Sequence, residues 1–310
     1  MQRLLTTAIL VGLLVATAAA FAVTERLKLT KSPLTRGTRV SKVFSPTCGC
    51  ARGHANVRIR LRRPDAVTVQ ILDSGKHAVR LLVDGVEMHR GFNTVRWDGR
   101  TDANTRAKDG AYQAEIHLAR QHQTILLPNK IVLDTTAPEV RDVTWNRDTF
   151  SPDGDLQADF VRIHYALSEP AHVNLYLGGK RILHTLQHSQ SGSFSWHGNA
   201  NGRVLPAGPY TLEVGAVDAA GNSTPAEALQ RIRLRIRYIE LAASRIVAPA
   251  GKRFSIGVST DAARYTWKLG GRKSFASGPV LRLKASTRRG RYTLTVSERG
   301  HVDRATVLVR

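Results

Sequence analysis

One pattern, used three times, restricts what this chain can fold into. It reads Gly110-Ala111-Tyr112-Gln113-Ala114-Glu115-Ile116, then Gly208-Pro209-Tyr210-Thr211-Leu212-Glu213-Val214, then Gly290-Arg291-Tyr292-Thr293-Leu294-Thr295-Val296. In each, a glycine lets the backbone turn, a tyrosine follows two residues on, and apolar residues then alternate with polar ones. Alternation of period two describes a strand with one buried face. A tyrosine at the start of such a strand suits the corner of a β-sandwich, where the ring fills the core edge and the hydroxyl reaches nearby backbone. A tryptophan precedes each copy, at Trp97, Trp196 and Trp267. The pattern predicts an all-β protein of three sandwich modules in series, with Trp97, Tyr112, Trp196, Tyr210, Trp267 and Tyr292 as their structural aromatics.

A second repeat is longer. Phe44-Ser45-Pro46 is answered by Phe150-Ser151-Pro152, the alternating Val57–Arg62 by Val161–Tyr165, Ala66–Leu72 by Ala171–Leu177, and Thr94–Gly99 by Ser193–Gly198. Correspondence over about a hundred residues marks a duplication. The third segment is shorter and lacks the Phe-Ser-Pro opening. A chain of 310 residues fits two or three domains. Ahead of them, Leu4 to Val23 is almost wholly apolar, about the twenty residues a bilayer core needs. Ala18-Ala19-Ala20 and Ala20-Phe21-Ala22 also offer signal-peptidase sites. The expected order is a transmembrane anchor or signal peptide over 1–23, a stalk over 24–42, and β-sandwich domains over 43–136, 137–239 and 240–310. Either reading of the leader carries the remainder across a membrane, so the domains are expected to be extracytoplasmic, on a single-pass anchor or secreted.

The residues Trp97-Asp98-Gly99-Arg100-Thr101-Asp102 with Asp109-Gly110-Ala111-Tyr112, and Trp196-His197-Gly198 with Ala207-Gly208-Pro209-Tyr210, resemble the flagellar-hook-capping-type (FlgD-like) immunoglobulin-like domain, a repeat of bacterial surface proteins. The family pattern is a Trp-Asp-Gly turn, a polar loop and a Gly-x-Tyr strand. The resemblance covers roughly residues 40–239, and His197 departs from it where the family has Asp. The third segment is similar to bacterial Ig-like domains in general. The resemblance implies a non-enzymatic, exported, modular scaffold, structural or adhesive in function. An accessory module that binds an anionic glycopolymer of a cell-wall system, a flagellar assembly scaffold and a wall-acting hydrolase are the alternatives.

Charge narrows the partners. With 46 Lys and Arg against 24 Asp and Glu, the chain carries a formal charge of +22. Such a field attracts anionic wall polymers, membrane surfaces or nucleic acid. Two strands concentrate it: Arg58, Arg60, Arg62 and Arg63 on one, and Arg231, Arg233, Arg235 and Arg237 on another. Four guanidinium groups on one strand face repel unless screened, paired or bound to an anion. The face reads either as a solvated edge that resists pairing or as a docking strip for anionic polymer, with another surface protein the further candidate partner. Nucleic acid fits less well, because aromatics are not interleaved with the arginines.

The candidate cation site is Ser151-Pro152-Asp153-Gly154-Asp155-Leu156-Gln157-Ala158-Asp159. Asp153, Asp155 and Asp159 offer carboxylates at a spacing suited to calcium, which takes several oxygens; a plain Asx turn is the alternative. No other cofactor is expected. Catalytic motifs are missing: no Gly-x-Ser-x-Gly elbow, phosphate-cradling loop or His-Glu-x-x-His helix occurs. His184 and His188 have helical ligand spacing but sit in a stretch that reads as strand and loop. Cys48 and Cys50 flank Gly49. A bridge between residues two apart demands a Cα separation that local chain rarely supplies, leaving two incidental thiols in a turn or a redox-sensitive or intermolecular bridge.

Overall fold

In the computed structural model, residues 2–29 and 33–310 are described, apart from the side chains of residues 2–6, 8 and 24–29. The leader is one helix, Gln2–Leu29. Among the described residues no helix is long and apolar enough to cross a membrane. The expected span begins at Leu4, and its residues 4–6 and 8 lie outside the described side chains.

From residue 33 on the chain is β-structure apart from one 3-10 turn, Ala226–Ala228, and the chain divides into two compact units, Met1–Thr135 and Thr136–Arg310. In the first unit one sheet joins Arg39–Val40, Ala55–Leu61 and Gly91–Trp97. The other runs Val43–Phe44, Ile131–Leu133, Gly110–Leu118, Asp65–Leu72 and Ala78–Met88, with Gln123–Leu126 also on Gly110–Leu118. Side chains of both sheets meet in one core. Ala55, Val57, Ile59 and Leu61 enter from one side; Val67, Val69, Ile71, Ala114, Ile116 and Leu118 enter from the other. Their alternation with exposed or half-buried neighbours is the period-two signal in physical form.

The second unit holds two cores. In the first of these a 17-residue strand, Val161–Leu177, serves two groups of partners. Residues 163–167 pair with Val140–Trp145, residues 161–166 and 171 with Ser189–Trp196, and residues 172–177 with Gly208–Val217. The sequence reading makes two strands of this stretch. The structure keeps it continuous, with a register shift between Ala166 and Ala171. Pro170 accounts for this: it holds Glu169 extended and donates no hydrogen bond.

The remaining core takes Ile239, Leu241, Ile256, Val258, Leu281 and Leu283 from a three-stranded sheet and Leu269, Leu294, Val296, Ala305 and Val307 from a five-stranded one. The fold is therefore all-β, with paired sheets enclosing each core.

Candidate cation and anion sites

The recurring aromatics set the frame that positions everything else. Tyr112, Tyr210 and Tyr292 each donate their hydroxyl to the carbonyl four residues back, on Lys108, Pro206 and Arg288, at 2.5, 2.8 and 2.9 Å. Trp97 and Trp196 are fully buried, and each indole N–H donates to the carbonyl three residues on, Arg100 and Asn199, both at 2.9 Å. Their rings contact the phenylalanine of each Phe-Ser-Pro, with Phe44–Trp97 centroids 5.2 Å apart and Phe150–Trp196 5.4 Å apart. The third copy differs. Trp267 is only half-buried, and Tyr265, two residues earlier, is the fully buried aromatic.

Ser151 follows Phe150 into the interior, so the acidic loop starts from a fixed point. Its backbone has positive φ at Gly154, Leu156 and Ala158, which curls residues 153–159 into a tight coil. The aspartates hold that coil. Asp159 accepts hydrogen bonds from the N–H of Gly154 at 2.6 Å and Leu156 at 2.8 Å. Asp153 accepts from Asp155 N–H and Asp155 from Gln157 N–H, at 3.1 and 2.7 Å. One carboxylate oxygen from each of Asp153, Asp155 and Asp159 lies within 4.8 Å of the others, and all three residues are half-buried.

Two acids from distant sequence face this loop. Glu298 ends the strand Gly290–Glu298, and its carboxyl lies within hydrogen-bonding reach of Asp153. Burial first, then the Asp153 carboxyl, pushes Glu298 up to about 7. Asp261 follows the strand Arg253–Thr260; burial, then the charges of Asp153 and Asp155, raises it to about 6. Arg299 is the nearby cation. Its Nη1 donates to the carbonyls of Asp153 and Gly154 at 3.4 and 3.3 Å, and its Nε sits 3.4 Å from Glu298 Oε1. His301 stacks on Tyr238, centroids 3.4 Å apart and planes 3° apart, and burial lowers its pKa. Sequence reading finds the aspartate loop but misses Asp261 and Glu298, which lie about a hundred residues or more downstream without a motif.

The arginine faces are partly neutralised. Arg231 pairs with Glu213 at 3.3 Å and Arg235 with Glu240 at 2.9 Å, while Arg237 Nε is buried with no acceptor. On the first unit Arg58 lies 3.8 Å and Arg60 5.0 Å above the ring of Phe92. Phe92 is exposed, and with Arg39, Arg58, Asn56 and Thr94 it lines a surface groove. Arg39 and Arg58 are direct cross-strand neighbours. Arg62 and Arg63 lie just past the strand, exposed. An aromatic does stand among these arginines; Phe92 is far from all of them in sequence and so escapes a linear scan.

His184 lies on the strand Lys180–His184, where its ring meets His172 at 4.8 Å, and His188 meets His172 at 5.1 Å. His184 Nδ1 is 2.8 Å from Asn174 Oδ1. Cys48 and Cys50 form an intramolecular disulfide with Cα atoms 5.2 Å apart, which corrects the expectation of incidental thiols or an intermolecular bridge. Gly49, at φ 59°, folds the chain enough to bring the two sulfurs together.

Residues 45–121 match the FlgD Ig-like domain family. The match covers the Trp97-Asp98-Gly99 turn and the Tyr112 strand, and the sheets built on them fit an Ig-like sandwich. No curated protein sequence matches the chain. Among solved structures, a three-domain titin fragment (domains I67–I69, a Glu-to-Ala variant) is 11% identical, with 90% of this chain and 99% of that one aligned and a TM-score of 0.32. The Bacteroides ovatus glucan-utilisation protein SGBP-B, solved with a mixed-linkage heptasaccharide, is 17% identical over 89% and 67%, with a TM-score of 0.21. Fibronectin(III)-like modules of Clostridium thermocellum CbhA are 16% identical over 55% and 94%, at 0.21. Likeness at these scores says nothing about what this chain binds. Ig-like modules of the FlgD type point to a structural or binding role.

Proposed function

We propose that this chain is a non-enzymatic, membrane-tethered extracytoplasmic scaffold of Ig-like modules that binds an anionic surface polymer. The carrying observation is the cluster of Arg39, Arg58 and Arg60 around the exposed ring of Phe92. Guanidinium groups over an aromatic face hold their planes in place and can present N–H groups to carboxylate or phosphate; Arg60 also donates through Nη1 to the carbonyl of Arg36 at 3.1 Å. A net charge of +22 adds long-range attraction that draws a polyanion to the surface. The apolar run from Leu4 to Val23 supports a tether.

Retention of the full chain on teichoic-acid-type or uronic-acid polymer is the test. Binding should weaken steeply as salt rises, and the Arg58→Gln/Arg60→Gln pair should weaken it at least tenfold at low salt. Equal retention of the wild type and the pair would refute the site. N-terminal analysis of cell-derived protein, with protease access from outside, tests the tether and the compartment. A flagellar assembly scaffold is the second reading, favoured by the family match at 45–121; recovery of the protein in the membrane fraction would count against it.

A further inference from the structure

The disulfide between Cys48 and Cys50 is used neither by the sandwich core nor by the arginine groove. It sits in the loop that follows Phe44-Ser45-Pro46, and hydrogen bonds already close that loop. Ser45 N–H donates to the carbonyl of Arg52 at 3.0 Å, Cys48 N–H to that of Ser45 at 3.3 Å and Gly53 N–H to that of Cys50 at 3.1 Å. Ser45 Oγ and Thr47 Oγ1 add a bond of 2.9 Å. The duplicated loop is an internal control. Ser151 stands where Ser45 does, and its N–H donates to the carbonyl of Ala158, at the same spacing and also at 3.0 Å. That loop holds no cysteine. The same entry to a core is therefore built without a bridge. A cross-link over a single residue also restrains the unfolded chain very little. Closure of the loop thus does not depend on the disulfide.

We infer that Cys48–Cys50 is a redox-active bridge that exchanges two electrons with small thiols in solution, with Cys50 as the sulfur attacked and Cys48 as the sulfur that leaves. Cys50 is exposed and Cys48 is half-buried, so an incoming thiolate reaches the Cys50 sulfur more readily. Cys50 N–H donates to Cys48 Sγ at 3.2 Å, so a dipole already faces the sulfur that takes on negative charge as it departs. The external thiolate forms a new S–S bond to Cys50 Sγ as the bridge breaks, and Cys48 leaves as a thiolate. A second external thiolate attacks the outer sulfur of this mixed disulfide. It releases the small thiol as its disulfide and leaves Cys50 as a thiolate, whose sulfur in the bridged form accepts from Arg52 N–H at 3.4 Å. Two small thiols are thereby oxidised to one disulfide, and the protein bridge is reduced to two thiols, with protons exchanged through water. Gly49 at φ 59° and the bonds that close the loop keep the two cysteines side by side for the reverse step.

The full oxidised chain, incubated with millimolar reduced glutathione at neutral pH without denaturant, tests this. Alkylation with a mass-tagged maleimide should find both cysteines reduced while the circular dichroism stays native, and oxidised glutathione should then close the bridge again. A bridge that opens only after denaturant has unfolded the first unit would be purely structural and would overturn the proposal. Single variants assign the two roles. With oxidised glutathione, Cys48→Ser, which keeps the exposed Cys50, should form the mixed disulfide at least about tenfold faster than Cys50→Ser does. Native circular dichroism of both variants shows that they fold, as expected of a loop closed by its own hydrogen bonds. Equal rates, or a faster Cys50→Ser, would overturn the assignment of Cys50 as the sulfur attacked.

Discussion

The ring of Trp97 meets that of Tyr112 nearly edge-on, with centroids 4.8 Å apart and planes at 68°. The tryptophan closes the strand Gly91–Trp97 of one sheet, and the tyrosine lies in Gly110–Leu118 of the other. The contact thus bridges the two layers of the first unit. Truncating Trp97 to alanine should destabilise that unit by about 3–5 kcal/mol. Trp267→Ala should cost much less, because that ring is half exposed. Urea unfolding followed by circular dichroism would measure both. Equal losses would mean that burial does not set the role of these tryptophans.

That difference between Trp97 and Trp267 marks how far the sequence alone reaches. Period-two alternation and the Gly-x-Tyr spacing are local, so the strands, the tyrosine corners and the all-β class can be read directly. Which aromatic becomes the centre of a core depends on the opposite sheet. Tyr265 rather than Trp267 fills the third core, and no local pattern says so. The sites follow the same rule. Asp153, Asp155 and Asp159 form a motif because one loop carries them, whereas Asp261, Glu298 and Phe92 arrive through tertiary packing. The continuous strand Val161–Leu177 is a further case: a proline reads as a break, yet extended backbone passes through it.

Gly99 and Gly198 hold the same place in the duplicated turn, with φ of 78° and 65°. A Cβ on Gly198 would stand 2.7 Å from Pro152 Cγ and 3.1 Å from Ile236 Cδ1. Gly202 has a similar φ of 74° but open space around it. Backbone strain alone should make Gly202→Ala cost about 1 kcal/mol. Gly198→Ala adds overpacking and should cost roughly 2–4 kcal/mol. Thermal melts of the two variants would separate strain from crowding. A Gly198→Ala variant no worse than Gly202→Ala would show that the Phe150-Ser151-Pro152 segment moves aside freely.

The Cys48–Cys50 bridge closes a very short loop. A cross-link restrains the unfolded chain in proportion to the logarithm of the loop it closes, so this one should contribute at most about 1.5 kcal/mol. Reduction, or the Cys48→Ser/Cys50→Ser pair, should lower the stability of the first unit less than Trp97→Ala does. Denaturant midpoints with and without reductant would check it. A larger loss would mean that the bridge fixes the Phe44-Ser45-Pro46 entry to the core, through the bond from Ser45 N–H to Arg52 O.

His184 sits against another imidazole and close to Arg181. Burial first, then His172 and Arg181, holds its pKa below the ordinary imidazole value. The unfolded chain therefore takes up this proton more readily than the folded one. Stability from this site is complete above about pH 6.5 and is lost as pH falls through that value toward the folded pKa. Glu298 and Asp261 act in the opposite sense, since their raised values favour the folded state as pH falls below about 7 and about 6. The raw melting profile mixes the two, so the comparison must be between the wild type and His184→Gln. The wild-type advantage in melting temperature should shrink between about pH 7.5 and pH 5.5. An advantage that stays constant or grows on acidification would show that His172 and Arg181 do not oppose protonation of His184.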